Sequence, residues 1–338
     1  MRGASAGAVA SIVSSTACAI LIARAWLRRR RHARMREKFE RDGFLLLPGF
    51  ASAAECESMM AAMRALIDET PVDELTSVFR TDGKQSKAQG SDDYFMTSAD
   101  KVRFFLEPGA VDERGALRVP KERAINKVGH ALHTAVPAFI AYTQGPKVRD
   151  AVHALGWRAP DLVQSMYIFK QPEIGGEVTP HQDSAFMRTE PLSCLGLWLA
   201  LQDASLANGC LWARPGSHKE PLRRHFRREV DPATGRERMA FADLLPADAP
   251  APPAAAWDGK PLDAQTTPAS LGFVPLPACQ GDLVLIHGQV DHLSMPNTSS
   301  ESRHTFQLHL VEGPGAGTQW DRGNWIAYPE GKPFPTFA

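Results

Sequence analysis

The chain has 338 residues, 43% of them hydrophobic and 22% charged, the balance of a globular protein and not of a disordered or fibrous one. Its formal charge of zero hides an asymmetry: residues 1–36 hold eight arginines and no acid, which leaves 30 basic against 38 acidic residues in the rest. A body that acidic lacks the basic face that neutralises phosphates, so nucleic-acid binding is excluded as a general function.

The first segment, Gly3 to Ala23, is 21 residues without a charge, followed by Arg24, Arg28–Arg31, Arg34 and Arg36. Its length permits a single membrane span over residues 3–23, and the arginines would then hold the main domain on the cytosolic side. Strong hydrophobes are few, however, and an Arg-rich, acid-free stretch equally fits a mitochondrial or chloroplast transit peptide. Either reading sets residues 1–33 apart from a main domain over 34–338.

Phe44 to Phe50 reads as a short buried strand ended by Pro48-Gly49. Ser52 with Glu55 matches a capping box, and the helix it starts should reach Glu69 with Met59, Met63, Leu66 and Ile67 on its apolar face. Asn126 to Leu155 looks helical, broken at Pro137 and near Gly145-Pro146. From Asp161 the texture changes to strands: Val163–Phe169, Leu195–Leu201, Leu283–His287 and Thr305–Val311. The Pro/Ala-rich stretch between them, residues 231–277, has no periodicity and reads as an insertion loop beside the sheet. Helices followed by turn-bounded strands predict a mainly β protein with flanking helices, a sandwich or barrel. The five cysteines (Cys18, Cys56, Cys194, Cys210, Cys279) are odd in number and widely spaced, which points to reduced thiols and away from a structural zinc site.

Chemistry concentrates in His181-Gln182-Asp183, His292 and Arg303. Alternate side chains of a strand share a face, so His181 and Asp183 could grip one metal, and His292 from a distant strand would complete a set of two His and one carboxylate. Such a set leaves positions open on Fe(II) for a cosubstrate and O₂. Arg303, at the start of a later strand, offers a fork of donors for a carboxylate. A bare H-x-D is common by chance, and His218, His287 and His309 rival His292 as the distal ligand. Two other readings use the same residues: a non-catalytic metal-binding module of the cupin type, and, less well supported by the ligand types, a zinc hydrolase.

From about Phe39 to the C-terminus the sequence resembles the phytanoyl-CoA dioxygenase family. The blocks that carry the resemblance include Asp42-Gly-Phe44, Asp93-Tyr-Phe95, residues 101–105, residues 125–133, residues 164–172, Pro180-His-Gln-Asp183, residues 208–212, residues 215–218 and residues 285–288, in that order. The resemblance implies a double-stranded β-helix (jelly-roll, cupin-like) dioxygenase that uses Fe(II), 2-oxoglutarate and O₂ to hydroxylate a small molecule, a lipid or acyl-CoA by the family's name, releasing succinate and CO₂. Carried over by position, His181, Asp183 and His292 would hold iron, Arg303 with Ser294 would bind the distal carboxylate of 2-oxoglutarate, and Lys127, Met166 and Trp198 would line its pocket. Trp198 alternates with Leu195, Leu197, Leu199 and Leu201, so it should face the barrel interior while they pack outward. His218 and His287 read as structural. A monomer is expected.

Overall fold

The computed structural model describes residues 5–80, 92–246, 248, 250 and 252–337, with side chains from residue 22 onward. Seven strands form the main antiparallel sheet in the order β1 (Phe44–Leu47), β12 (Leu283–His287), β7 (Leu195–Ala200), β14 (Arg303–Glu312), β4 (Pro160–Lys170), β3 (Ile125–His130) and β2 (Val102–Leu106). A smaller sheet faces it, ordered β11 (Val274–Leu276), β8 (Leu211–Ala213), β13 (His292–Ser294) and β5 (Val178–His181). The hairpin of β9 (Arg224–Val230) with β10 (Glu237–Asp243) and the pair of β6 (Thr189–Glu190) with β15 (Gln319–Trp320) complete the strands. The result is the expected jelly-roll with flanking helices.

Strand alternation divides the core. Leu195, Leu197 and Leu199 of β7 join Leu283 and Leu285 of β12 and Phe306, Leu308 and Leu310 of β14 in one apolar layer. Against it pack α1 (Ser5–Asp42), α2 (Ala53–Glu69), α3 (Pro137–Thr143) and α4 (Pro146–Leu155), through Met35, Phe39, Met59, Met63, Phe139 and Val152. The opposite face turns Trp198, Ala200, Val284 and Ile286 toward Cys210, Leu211 and Ala213 of the small sheet. Trp198 thus looks inward as its parity requires. The start of α2 carries the full capping box: Ser52 Oγ accepts from the Glu55 backbone N–H, and Glu55 accepts from that of Ser52.

Three expectations need correction. Residues 125–130 are strand and not helix: the two flanking strands, β2 and β4, hydrogen-bond to this segment on both sides, and sheet pairing overrides its local pattern. Residues 231–277 are not one loop. Their first part pairs over seven residues with β9, Phe241 lies 4.9 Å from Phe226, and β11 adds an edge to the small sheet. Residues 5–42 form the single helix α1, in which Arg28 and His32 both contact Asp150 of α4 at 2.9 and 3.2 Å. No helix among the described residues is long and apolar enough to cross a membrane. The transmembrane reading of residues 3–23 is therefore unsupported: Ala, Ser, Gly and Thr dilute the segment's few strong hydrophobes. The side chains of residues 1–21 lie outside the described residues. The four described cysteines form no disulfide; Cys56, Cys194 and Cys210 are buried and Cys279 is exposed.

Candidate active site

Antiparallel pairing of β13 with β5 sets His292 directly opposite His181, and their rings lie 4.1 Å apart. Asp183 follows where β5 ends: Gln182 is still extended, and Asp183 opens a single 3-10 turn. The shared face predicted for His181 and Asp183 is thus realised at a strand end and not within a strand. One carboxylate oxygen, Asp183 Oδ1, lies 3.6 Å from His181 Nε2 and 3.5 Å from His292 Nε2. One ligand atom from each of the three falls within 4.8 Å of the others.

The backbone fixes which ring nitrogens point at this centre. His181 Nδ1 lies 2.8 Å from the Thr179 carbonyl and His292 Nδ1 lies 3.0 Å from that of Val290. An N–H at each Nδ1 donates to its carbonyl and leaves Nε2 with a lone pair facing Asp183. Burial lowers His292 to about 4, so it is neutral near pH 7. Burial works against the Asp183 charge, yet the carboxyl is held well below its ordinary range, with His309 Nε2 placed to donate to its Oδ2. Two imidazole nitrogens with an ionised carboxylate are a donor set suited to Fe(II).

A fourth residue, weighed from the sequence only as a rival to His292, belongs to the site in another role. His309 Nε2 lies 3.3 Å from Asp183 Oδ2, and its Nδ1 is 3.3 Å from Gln164 Nε2, which can donate to it. Gly196, the register partner of His309 across β7, makes room: a Cβ there would meet Asp183 Oδ2 at 3.1 Å. The signal was in the sequence, because Arg303, Thr305, Gln307 and His309 alternate along one strand and must share the inward face.

A cavity of about 150 Å³ opens from these residues. Lys127, Met166, His181, Asp183, Trp198, His292, Ser294 and Arg303 all line it, so the structure brings the whole set named from sequence around one space. Arg303 is 2% exposed, its guanidinium carbon is 5.5 Å from the Trp198 ring, and among the described residues it faces no carboxylate. Its only side-chain partner there is Thr305 Oγ1, at 3.3 Å, and Nε is unpaired; burial lowers it to about 10. Lys127 is buried too, with Nζ 3.8 Å from Met166 Sδ and 3.4 Å from the centre of the Phe79 ring. Behind Arg303, its register partner Lys170 is spent on the carbonyls of Gly176 (2.7 Å) and Met295 (2.6 Å). Glu107, also lining the cavity, is pushed up to about 7 by burial, an effect only partly offset by Asn126 and Lys170. His218 and His287 stay outside the cavity, their rings 5.2 Å apart and His218 Nε2 on the Glu40 carbonyl.

The sequence profile of the phytanoyl-CoA dioxygenase (PhyH) family matches residues 39–305. The chain belongs to that family. Among its relatives, phytanoyl-CoA dioxygenase domain-containing protein 1 of Mus musculus is 46% identical over 303 residues, covering 88% of this chain and 96% of that one. A phytanoyl-CoA dioxygenase of Arabidopsis thaliana is 41% identical, covering 85% and 90%. Solved structures share the fold at lower identity. The α-ketoglutarate-dependent epimerase SnoN from nogalamycin biosynthesis has a TM-score of 0.55 at 15% identity, covering 91% of this chain and 95% of that one. EctD from S. alaskensis has 0.53 at 17%, covering 88% and 81%. Membership of the PhyH family makes the chain an oxidoreductase, a 2-oxoglutarate-dependent dioxygenase with Fe(II) as its metal.

Proposed function

We propose that His181, Asp183 and His292 hold Fe(II), that Arg303 with Ser294 binds the distal carboxylate of 2-oxoglutarate, and that the cavity hydroxylates a small organic substrate. The observation that carries this reading is a buried guanidinium with no anion beside it among the described residues, opening on the same cavity as three convergent metal-ligand atoms. A buried unpaired cation is costly, and a carboxylate accepting its forked donors would offset that cost. A non-catalytic metal module would leave Arg303 without a partner.

When bound, iron and 2-oxoglutarate together supply the oxidising chemistry: O₂ converts a substrate C–H to C–OH while 2-oxoglutarate loses CO₂ to give succinate. The protein's share is positional. Asp183 enters ionised, propped on its far oxygen by His309, and His292, lowered to about 4 by burial, presents Nε2 without needing to lose a proton near pH 7. Arg303 fixes one end of 2-oxoglutarate, so its keto-acid end can address the metal in one orientation. Lys127, held over Phe79 beside Met166, adds a donor on the cavity wall, and Trp198 closes the floor against water. The reading takes the protein as a monomer, since one chain supplies the whole site. Phe79, Phe95, Phe186 and Trp325 give the cavity an aromatic wall, which suits an apolar substrate body of the lipid or acyl-CoA type named by the family.

The test is succinate formation from 2-oxoglutarate by the full chain with Fe(II), ascorbate and O₂, beside His181→Ala. Succinate from the wild type and none from the variant would support the reading. Metal binding without any 2-oxoglutarate binding would replace it with the non-catalytic module.

A further inference from the structure

The cavity is lined by a second arginine, Arg224, that the proposed reaction leaves unused. Arg224 opens β9, and its guanidinium carbon sits 3.9 Å from the centre of the Phe241 ring. Nη1 donates to the Asp258 backbone carbonyl at 3.0 Å. No carboxylate among the described residues lies within ion-pair distance of it. Its neighbours differ sharply. Arg223 takes the Asp258 carboxylate at 2.7 Å and Asp291 as well, Arg214 pairs with Glu220 and Asp291, and Arg228 pairs with Glu237 at 3.2 Å. Asp243, the register partner of Arg224 on β10, makes no ion pair with it. Gly259 leaves the space the guanidinium occupies, because a Cβ there would meet Nη2 at 2.8 Å.

A continuous aromatic path joins this cation to the metal ligands. The His181 ring lies 6.0 Å from Phe186, Phe186 lies 5.7 Å from Phe241, and Phe241 carries Arg224. Phe186 and Arg224 both line the cavity that holds the His181–Asp183–His292 set. A substrate stacked along Phe186 with its reacting carbon at the metal would therefore run toward Arg224.

We propose that Arg224 is a specificity-determining residue that binds an anionic group, carboxylate or phosphate, on the substrate; this deepens the reading of the same site given above and rests on it. Forked, charge-assisted hydrogen bonds to a half-buried guanidinium favour an anion, and a neutral analogue leaves those donors unanswered. The family of reactions needs an acid on 2-oxoglutarate already, and Arg303 serves that one. Arg224 supplies a separate cation for the second reactant.

The test uses the full chain loaded with Mn(II) and 2-oxoglutarate, so that no turnover occurs, and measures binding of 4-phenylbutyrate, phenyl phosphate and neutral 4-phenyl-1-butanol by calorimetry. At least one of the two anions should bind the wild type about tenfold or more tighter than the alcohol. Arg224→Gln should erase that preference and Arg224→Lys should restore part of it, with Mn(II) binding, 2-oxoglutarate binding and Tm unchanged. Which anion depends more on Arg224 distinguishes carboxylate from phosphate. Equal binding of anions and alcohol to the wild type, or a preference that survives Arg224→Gln, would overturn the proposal. So would loss of 2-oxoglutarate binding in Arg224→Gln, which would make the residue structural. A wild type that fails to bind 2-oxoglutarate in the first titration would instead overturn the underlying reading of the site.

Discussion

His309 braces Asp183 from behind: its Nε2 stands 3.3 Å from Oδ2 while Oδ1 faces His181 and His292. A carboxylate ligand whose second oxygen is hydrogen-bonded keeps its rotamer and charge, and loss of such a partner typically weakens metal binding about 10–100-fold. His309→Ala should therefore lower Mn(II) affinity in that range, read by titration. Its effect on 2-oxoglutarate should follow only from the weaker metal.

Gly196 contributes to the same contact by its lack of a side chain. Gly196→Ala would place a methyl 3.1 Å from Asp183 Oδ2 and 3.5 Å from the His309 ring. The expected result is reduced metal affinity with the fold retained, measured by metal titration beside a circular-dichroism melt. Wild-type affinity in this variant would show that the carboxylate has more freedom than the contact allows.

Arg303→Met removes a fully buried cation without emptying its space. The expected outcome is loss of the thermal shift that 2-oxoglutarate gives the wild type, with Mn(II) binding unchanged. The ligand-free variant should melt no lower than the wild type, because the uncompensated buried charge is gone. A parallel loss of metal binding would remove Arg303 from its assigned role.

Glu107 makes stability depend on pH in a definite direction. Its carboxyl is raised from 4.5 to about 7 by burial, so the folded state binds the proton more tightly than the unfolded chain. Stability from this group is full below about pH 4.5 and falls as pH rises through 7. Glu107→Gln should remove that loss, a gain of up to about 3 kcal/mol at pH 8 and much less at pH 5. Urea unfolding at the two pH values checks it.

The body of the fold begins inside α1. Deleting residues 1–33 removes the contacts of Arg28 and His32 with Asp150, exposed interactions that together contribute about 1 kcal/mol or less. Deleting residues 1–40 also removes Met35 and Phe39, which are 6% and 4% exposed, and should cost roughly 3–6 kcal/mol. Denaturant unfolding of the two truncations separates these outcomes.

The parts legible in the sequence were those where local pattern and tertiary demand agree. The Ser52–Glu55 box marks α2 because capping is local chemistry, and the leucines of β7 mark the outward face because one side of the sheet must be buried. β3 was misread because Ile125–His130 has no clean alternation and is made a strand by the two strands beside it. β10 was hidden by a run dense in charge, where only Met239 and Phe241 signal a packed face. In the site, residue types and order pointed to His181, Asp183, His292 and Arg303, whereas Lys170, Glu107 and Arg224 are ordinary charges until folding buries them. His309 lay between these cases, since parity with Arg303 puts it inside but only the folded contact gives it a partner.

Because Arg303 and His309 lie on one strand, six residues apart and on one face, the grips on cosubstrate and on metal are mechanically a single part. A one-residue slip of β14 against β4 and β7 would turn both outward at once. Redesign of substrate scope is thus best confined to the β9–β10 hairpin and the segment around Asp258, where Arg224 and Phe241 can be exchanged while β14 is left as inherited hardware.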